Sequence, residues 1–532
     1  MASQYIELDS RTAAPSRLDR LKQAVTGSSD LTRLVAFLAI AVTVERIWLG
    51  QGVPLWLDET WTAMIATRPD WASFWREAYL DVNAPFYYVF MKLWTGVFGI
   101  SNTALRLPSL LFIYAAAALP LLWRAHGLDR KAALVWGALM LLWWPGIIMS
   151  IDARTYGLLL FASAAGAIAF IQAMRSLRTG YFVLWAAIGA VQMFSHYFAY
   201  FLVATQGLFL LWRWRIELVK RWYAFAPFAI PFAWTAYHLP RVLEYGKPGI
   251  AWYQPTDFDA AINFVVFSFG APSKQFPLIL LLALAGALWK SGWQLADNRS
   301  SVRPAPEGAS QAINQAVLAA IVALAVVLVL GTLKASLADR YIVPVVPSML
   351  LGVVLLAGRI PRFELACSLV LIVFGTFALK FGAVEKALAD RSVQGFEQAS
   401  EFIAVKEPNT LIFLTDYTNT PILDENSMER LGEFFLVRNG QVVKTQTLRL
   451  KKFDDPNAVL RQAVNNRQGT AFIWVYDAQY DLPTKRHPPR FSSDADWRCF
   501  DNKSYRYIAK EKKTLLSIGT LACSPANRGK RL

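Results

Sequence analysis

Carboxylates and cationic side chains recur at a few short stations along this chain. They are Asp58-Glu59 between Trp56 and Trp61, Asp81-Val82-Asn83-Ala84-Pro85, Arg106, Asp152-Ala153-Arg154, His196-Tyr197, Lys334 and Asp339-Arg340. A carboxylate such as Asp58, Glu59 or Asp81 suits general-base activation of a hydroxyl. Arg154, Arg340, Arg106 and Lys334 suit a phosphate-bearing ligand, with Asn83, Asp152, His196 and Tyr197 as further polar contacts to a phosphate or sugar. These types together describe an activated nucleophile meeting a donor whose leaving group is a phosphate. Three cysteines and four histidines supply neither a four-thiolate set nor an HExxH spacing, so no metal and no other cofactor is expected.

Each station also has a structural reading. Asp58 can be a solvated loop acid or a helix N-cap, and Glu59 can merely shape its field. Asp81 can cap a helix beginning near Pro85, because Asp suits a cap and Pro the first turn. Asp152 and Arg154 can form a structural ion pair, and His196 can be a satisfied interfacial histidine. Arg340 and Lys334 can snorkel to headgroups.

The elements that must position these residues are apolar. Of 532 residues, 55% are hydrophobic and 17% charged, whereas soluble domains carry about a quarter charged residues. The net charge of +16 would suit nucleic acid if it were clustered. It is instead spread between long apolar runs, so a polytopic membrane protein with a polar tail is expected, with membrane lipids and no nucleic acid as partners.

Eleven candidate spans lie at roughly 33–50, 105–123, 132–149, 155–173, 181–195, 197–212, 222–238, 276–290, 313–333, 341–358 and 363–380. Pro85–Phe98 can be a short span or an interfacial helix, and Tyr181–Trp212 is long for one span and short for two. Loop charge decides both. With Pro85–Phe98 in the interface and a fold-back at His196, 19 of the 31 basic residues before position 381 fall on one side. That side is then cytoplasmic. It includes the N-terminal tail 1–32, which lacks the apolar core of a signal peptide, and the polar loop 291–312. The first outer loop (50–104), the turn at His196, the loop 239–275 with Trp252-Tyr253, and residues 381–532 fall outside. The tail 381–532 is expected to be a small α/β domain, with strands at Thr410–Thr415 and Thr470–Tyr476 and helices near 392–405 and 455–465. In an oxidising compartment, Cys499 and Cys523 are expected to pair.

Ionisable residues gathered at span ends on one face mark a site by default. Activated hydroxyl, phosphate leaving group and membrane level are all satisfied by transfer of a sugar from a polyprenyl-phosphate donor. The order Asp58-Glu59, Asp81-x-Asn83-Ala84-Pro85-x-Tyr87-Tyr88, Arg106-Leu107-Pro108-Ser109, Asp152-Ala153-Arg154-x-Tyr156-Gly157, His196-Tyr197 and Arg340-Tyr341 also resembles GT-C glycosyltransferases. The protein O-mannosyltransferases and the bacterial lipid A aminoarabinose transferases are the nearest in pattern. The resemblance covers roughly residues 30–360. It implies an inverting enzyme in which Asp58 activates the acceptor, Glu59 supports it, and Arg154 and Arg340 lie near the lipid phosphate. Where that pattern usually reads Asp-x-His-Pro-Pro, this chain has Asp81-x-Asn83-Ala84-Pro85, which removes a titratable group and a proline. The acceptor is left open among glycolipid, polysaccharide and protein. A lipid-linked-sugar transporter or flippase and a non-catalytic envelope assembly protein are the alternatives.

Overall fold

The computed structural model describes residues 29–50, 52–246, 255–270, 273, 275–292, 308–380 and 382–384, then six separate elements between 410 and 525. In the first part, α1 is Asp30–Gly50, α2 Leu57–Ala66, α3 Trp71–Leu80, α4 Phe86–Phe98, α5 Asn102–Leu122, α6 Arg130–Leu142, α7 Trp144–Ser150 and α8 Tyr156–Arg175. They are followed by α9 Thr179–Ser195, α10 Ala199–Trp214, α11 Ala229–Tyr245, α12 Phe258–Phe269, α13 Gln275–Lys290, α14 Ala309–Leu333, α15 Val346–Gly358 and α16 Phe363–Ala378. Short 3₁₀ turns at Trp222–Phe228 and Asp339–Val345 lead into α11 and α15.

Among the described residues, α5, α8, α14 and the Asp339–Gly358 segment are long and apolar enough to cross a membrane, and the bent pair α6–α7 makes a fifth. The bend is 62°. Pro145 lies in the first turn of α7, where its missing N–H costs no helical bond. The other apolar helices are shorter or more charged, as α1 is with Asp30, Arg33, Glu45 and Arg46. This is a multi-pass helical membrane protein.

Both ambiguous segments resolve. α4 has 13 residues, about 20 Å of helix and too short to cross a ~30 Å core. The 181–212 run breaks at His196 into α9 and α10. The expected outer loop 239–275 differs from expectation, because it contains the apolar helix α12, started by Asp257 accepting from the Ala260 amide at 2.7 Å. Its Phe264, Val266 and Phe267 are buried, so packing of an aromatic face shapes it rather than length. Trp252-Tyr253, the tail 1–28, most of loop 291–312 and the helices expected near 392–405 and 455–465 lie outside the described residues.

Close packing sets the position of the site. A side chain at Gly157 would press into the Ser109 backbone, so α8 meets α5 at backbone distance, the small-residue contact favoured between membrane helices. That contact lets the Ser109 hydroxyl donate to the Arg154 carbonyl at 3.1 Å. Deeper in the bundle, Trp136 and Trp143 are buried and donate their indole N–H groups to the Pro347 and Phe267 carbonyls, both at 2.8 Å.

Beyond residue 409 the described elements are β1 Thr410–Thr415, α17 Ser427–Arg438, β2 Lys444–Arg449, β3 Ala471–Gln479, β4 Trp497–Ala509 and β5 Thr514–Pro525. They form one sheet in the order β2-β1-β3-β5-β4. β1 is parallel to β2 and β3, and β5 is antiparallel to β3 and β4. Two expected strands are thus present, and the β4–β5 register sets Cys499 opposite Cys523. α17 packs on the first loop. Arg430 pairs with the buried Glu77 of α3 at 2.9 Å, and Arg438 donates to Asn102 at 2.8 Å.

Candidate active site

Three helices of the first loop, the turns before α8 and α10, and the 3₁₀ turn before α15 converge on Asp58. Its Oδ2 accepts from Arg340 Nη2 at 3.3 Å and lies 3.9 Å from Arg154 Nη2. The Asp58 side chain is 23% exposed while Arg154 is 7% exposed, so the acid can be reached by a ligand and the arginine behind it is held in place. Arg154 Nη1 also donates to the Asp58 carbonyl at 3.1 Å and to Thr62 at 3.3 Å. Arg340 lies over the Trp56 and Tyr341 rings, each centroid 5.8 Å away, a cation–π setting that fixes the guanidinium plane.

Glu59 is placed differently, although it adjoins Asp58 in sequence. Adjacent helical residues point about 100° apart, which turns Glu59 inward. It is 1% exposed and accepts four N–H groups: Arg106 Nε at 2.7 Å, Arg106 Nη2 at 2.6 Å, the Ala153 amide at 2.9 Å and the Trp56 amide at 3.2 Å. Arg106 gives two further N–H groups to the Val53 and Pro54 carbonyls at 2.7 and 2.9 Å. This is the geometry of a clamp tying α2 to α5 and to the Asp152–Arg154 turn.

Asp81 is buried and is the C-cap residue of α3, its amide donating to the Glu77 carbonyl at 3.1 Å. The expected N-cap of α4 is instead Pro85. Asp81 Oδ2 accepts from the Tyr88 hydroxyl and from Asn83 Nδ2, the latter at 3.0 Å. Asn83 thus serves as a donor to the carboxylate. Asp152 is 2% exposed and accepts from the Trp56 indole at 2.9 Å, so it orients the tryptophan that flanks Arg340.

His196 is 4% exposed and packs on Tyr341, with ring centroids 4.8 Å apart. Burial first, then Arg154 and Arg340, push its imidazole down to about 3. It is neutral at ordinary pH, with Nδ1 accepting from the Phe198 amide at 3.3 Å. Tyr197 turns away into another set of bonds. The Tyr79 carbonyl lies 2.8 Å from His238 Nε2 and can only accept, so Nε2 carries the proton and Nδ1 accepts the Tyr197 hydroxyl at 2.6 Å. The Trp234 indole donates to the same hydroxyl at 3.0 Å. Lys334 is exposed and lies against Gly246 at the C-terminal end of α11, where a cation complements the helix dipole.

Of the expected site residues, then, Asp58, Arg154 and Arg340 meet directly. His196 borders the two arginines, Asp152 reaches them through Trp56, and Glu59 with Arg106 braces them from behind. Thr62, Trp56 and Tyr341 were missed as contributors. Only the tryptophan and tyrosine flanking the charged motifs hinted at them.

No protein-family model matches the chain, and no curated protein matches its sequence. Solved structures of similar architecture exist. ArnT from Cupriavidus metallidurans in the apo state is 14% identical with a TM-score of 0.49, over 84% of this chain and 93% of that one. The same protein bound to undecaprenyl phosphate is 14% identical with a TM-score of 0.50, over 92% of this chain and 98% of that one. The shared feature is the fold.

Proposed function

We propose that the protein transfers a sugar from a polyprenyl-phosphate-linked donor to an acceptor hydroxyl at the outer face of a bacterial inner membrane, with inversion. The observation that carries this reading is the partly exposed Asp58 carboxylate held between Arg340 and Arg154. In this reading the arginines supply charge to a leaving phosphate, beside a partly exposed carboxylate that serves as the base. In this reading Asp58 takes the acceptor O–H proton as the oxygen attacks the anomeric carbon. The bond from that carbon to the phosphate oxygen breaks, and its electron pair leaves on the polyprenyl phosphate. Arg154 and Arg340 hold that anion and stabilise the developing charge. The fold shared with ArnT bound to undecaprenyl phosphate supports a lipid-phosphate donor.

The same reading keeps eleven spans over 33–380, a cytoplasmic 1–32 and a periplasmic 381–532. The contact of α17 with α3 supports placing the tail on the face of the first loop. The acceptor is a glycolipid, polysaccharide or protein. The test is mass spectrometry of envelope glycolipids and glycoproteins with and without the intact gene. Loss of one glycosyl mass identifies donor and acceptor class together. An unchanged set, with no transfer by purified protein from any polyprenyl-phosphate sugar, overturns the reading in favour of transport. A reporter active only outside the cytoplasm, fused after Leu532, tests the sidedness and is expected to be active.

A further inference from the structure

Helix α8 joins two polar places. Tyr156 at its start borders the Asp58 centre, and Arg175 at its end lines a cavity of about 260 Å³. Twenty residues at ~1.5 Å each separate them by about 30 Å, the thickness of a hydrocarbon core. The cavity therefore opens at the membrane face opposite Asp58.

Among the described residues, the polar side chains lining it are Arg175, Arg213, Gln311 and Gln315, with no carboxylate. Arg175 gives Nη1 to the Ala125 carbonyl at 3.1 Å, while its Nε is buried without a partner. Arg213 stacks on Trp214 with its guanidinium carbon 4.8 Å from the ring centroid, which holds the face and leaves the N–H edges available. Gln315 is 8% exposed, lines the cavity and makes no hydrogen bond among the described residues. Its amide is thus open to a ligand in the cavity. The cavity is closed on one side by Gly308, the N-cap of the 25-residue helix α14, which has no side-chain cap. The first-turn amides and the positive end of that helix dipole add to the attraction for an anion.

Two guanidinium groups and an unpaired amide lining the same cavity match a phosphate oxyanion. The surroundings say where that phosphate comes from. Leu208, Leu211 and Trp212 on α10 and Leu318 on α14 are exposed apolar side chains beside the cavity helices, a surface for acyl chains. We propose that this cavity binds the phosphate headgroup of an acidic glycerophospholipid from the leaflet opposite the Asp58 centre. Such a headgroup bridges α8, α10 and α14. Basic pockets between membrane helices take acidic lipids in this way. The assignment does not rest on the sugar-transfer reading.

The test uses the full chain, delipidated in a zwitterionic detergent, with adducts counted by native mass spectrometry. The probes are dihexanoyl phosphatidylglycerol, dihexanoyl phosphatidylcholine and inorganic phosphate. Phosphatidylglycerol is expected to bind at least about ten-fold tighter than the other two, and Arg213→Gln and Gln315→Leu to weaken it by about ten-fold each, as loss of a charge-assisted or buried hydrogen bond does. Arg340→Ala is expected to leave this adduct unchanged, which separates it from any anion held near Asp58. Arg213 is exposed, so its variant is expected to fold even if Gln315→Leu does not. Phosphatidylglycerol binding that is indifferent to Arg213→Gln overturns the site. Inorganic phosphate binding as tightly as the lipid overturns the lipid as its source.

Discussion

Arg340 follows Asp58 by 282 positions and donates to its carboxylate at 3.3 Å. The acid thus sits in the seat that the proposed reaction gives to a phosphate. A donor phosphate competing for Arg340 and Arg154 frees Asp58 toward the acceptor, so donor binding and exposure of the base become one event.

Asp58→Asn keeps the size of the side chain and removes the base. Folded variant is expected to bind polyprenyl phosphate and to lose single-turnover transfer by at least ~100-fold. Near-normal transfer would move the role to another carboxylate, Asp81 first.

Arg340→Ala and Arg154→Ala are expected to weaken donor binding by about 10- to 100-fold each, the worth of a charge-assisted contact of ~1.5–3 kcal/mol. Arg340→Lys keeps the charge without the planar fork and should fall between. Binding of lipid phosphate, measured directly and with thermal stability as a control, separates the two roles. Wild-type affinity in both alanine variants would remove the arginines from the phosphate seat.

Removing Arg106 strands a buried carboxylate that now receives two of its four bonds from that side chain. Breaking such a pair costs about 3–5 kcal/mol. Arg106→Ala is expected to lower the melting temperature, and Arg106→Met with Glu59→Leu to lower it less. Equal losses in single and double variants would contradict the clamp.

His196 binds its proton at about pH 3 in the folded protein against ~6.5 in an unfolded chain. Between those values the unfolded state holds more protons, so stability rises with pH across that window and falls as acid is added. The melting temperature is expected to drop from pH 6.5 toward pH 5, and to drop less in His196→Gln. Identical slopes would mean that His196 does not carry the effect.

Cys499 and Cys523 are register partners across β4 and β5. Labelling of denatured, unreduced protein is expected to find one free thiol, the buried Cys367. Three labelled thiols would exclude the bridge.

The sequence made the membrane class, five of the eleven expected spans and the break at His196 legible, because apolar length and a polar break are local signals. Asp58, Arg154 and Arg340 were legible as types at span ends. Their meeting was not, since it depends on the backbone contact of Gly157 with Ser109 and on the 3₁₀ turn that presents Arg340. The division of labour between Asp58 and Glu59 was hidden for a related reason. A difference of one helical step decides which of two neighbouring acids faces a ligand and which faces Arg106. The bond of Tyr197 to His238 was hidden because the two are 41 positions apart. α12 was missed because 12 residues are too few for a span and the helix lies inside an otherwise polar loop.

The ion pair between Glu77 and Arg430 also has a place in time. A ribosome reaches Arg430 about 350 residues after Glu77, which at about 5–20 residues per second is roughly 20–70 s. Through that interval Glu77 has only Arg68 and Arg76 of its charged neighbours. The first loop therefore completes this ion pair only after α16 has been made. A chain stopped before α17 would be inserted yet unfinished.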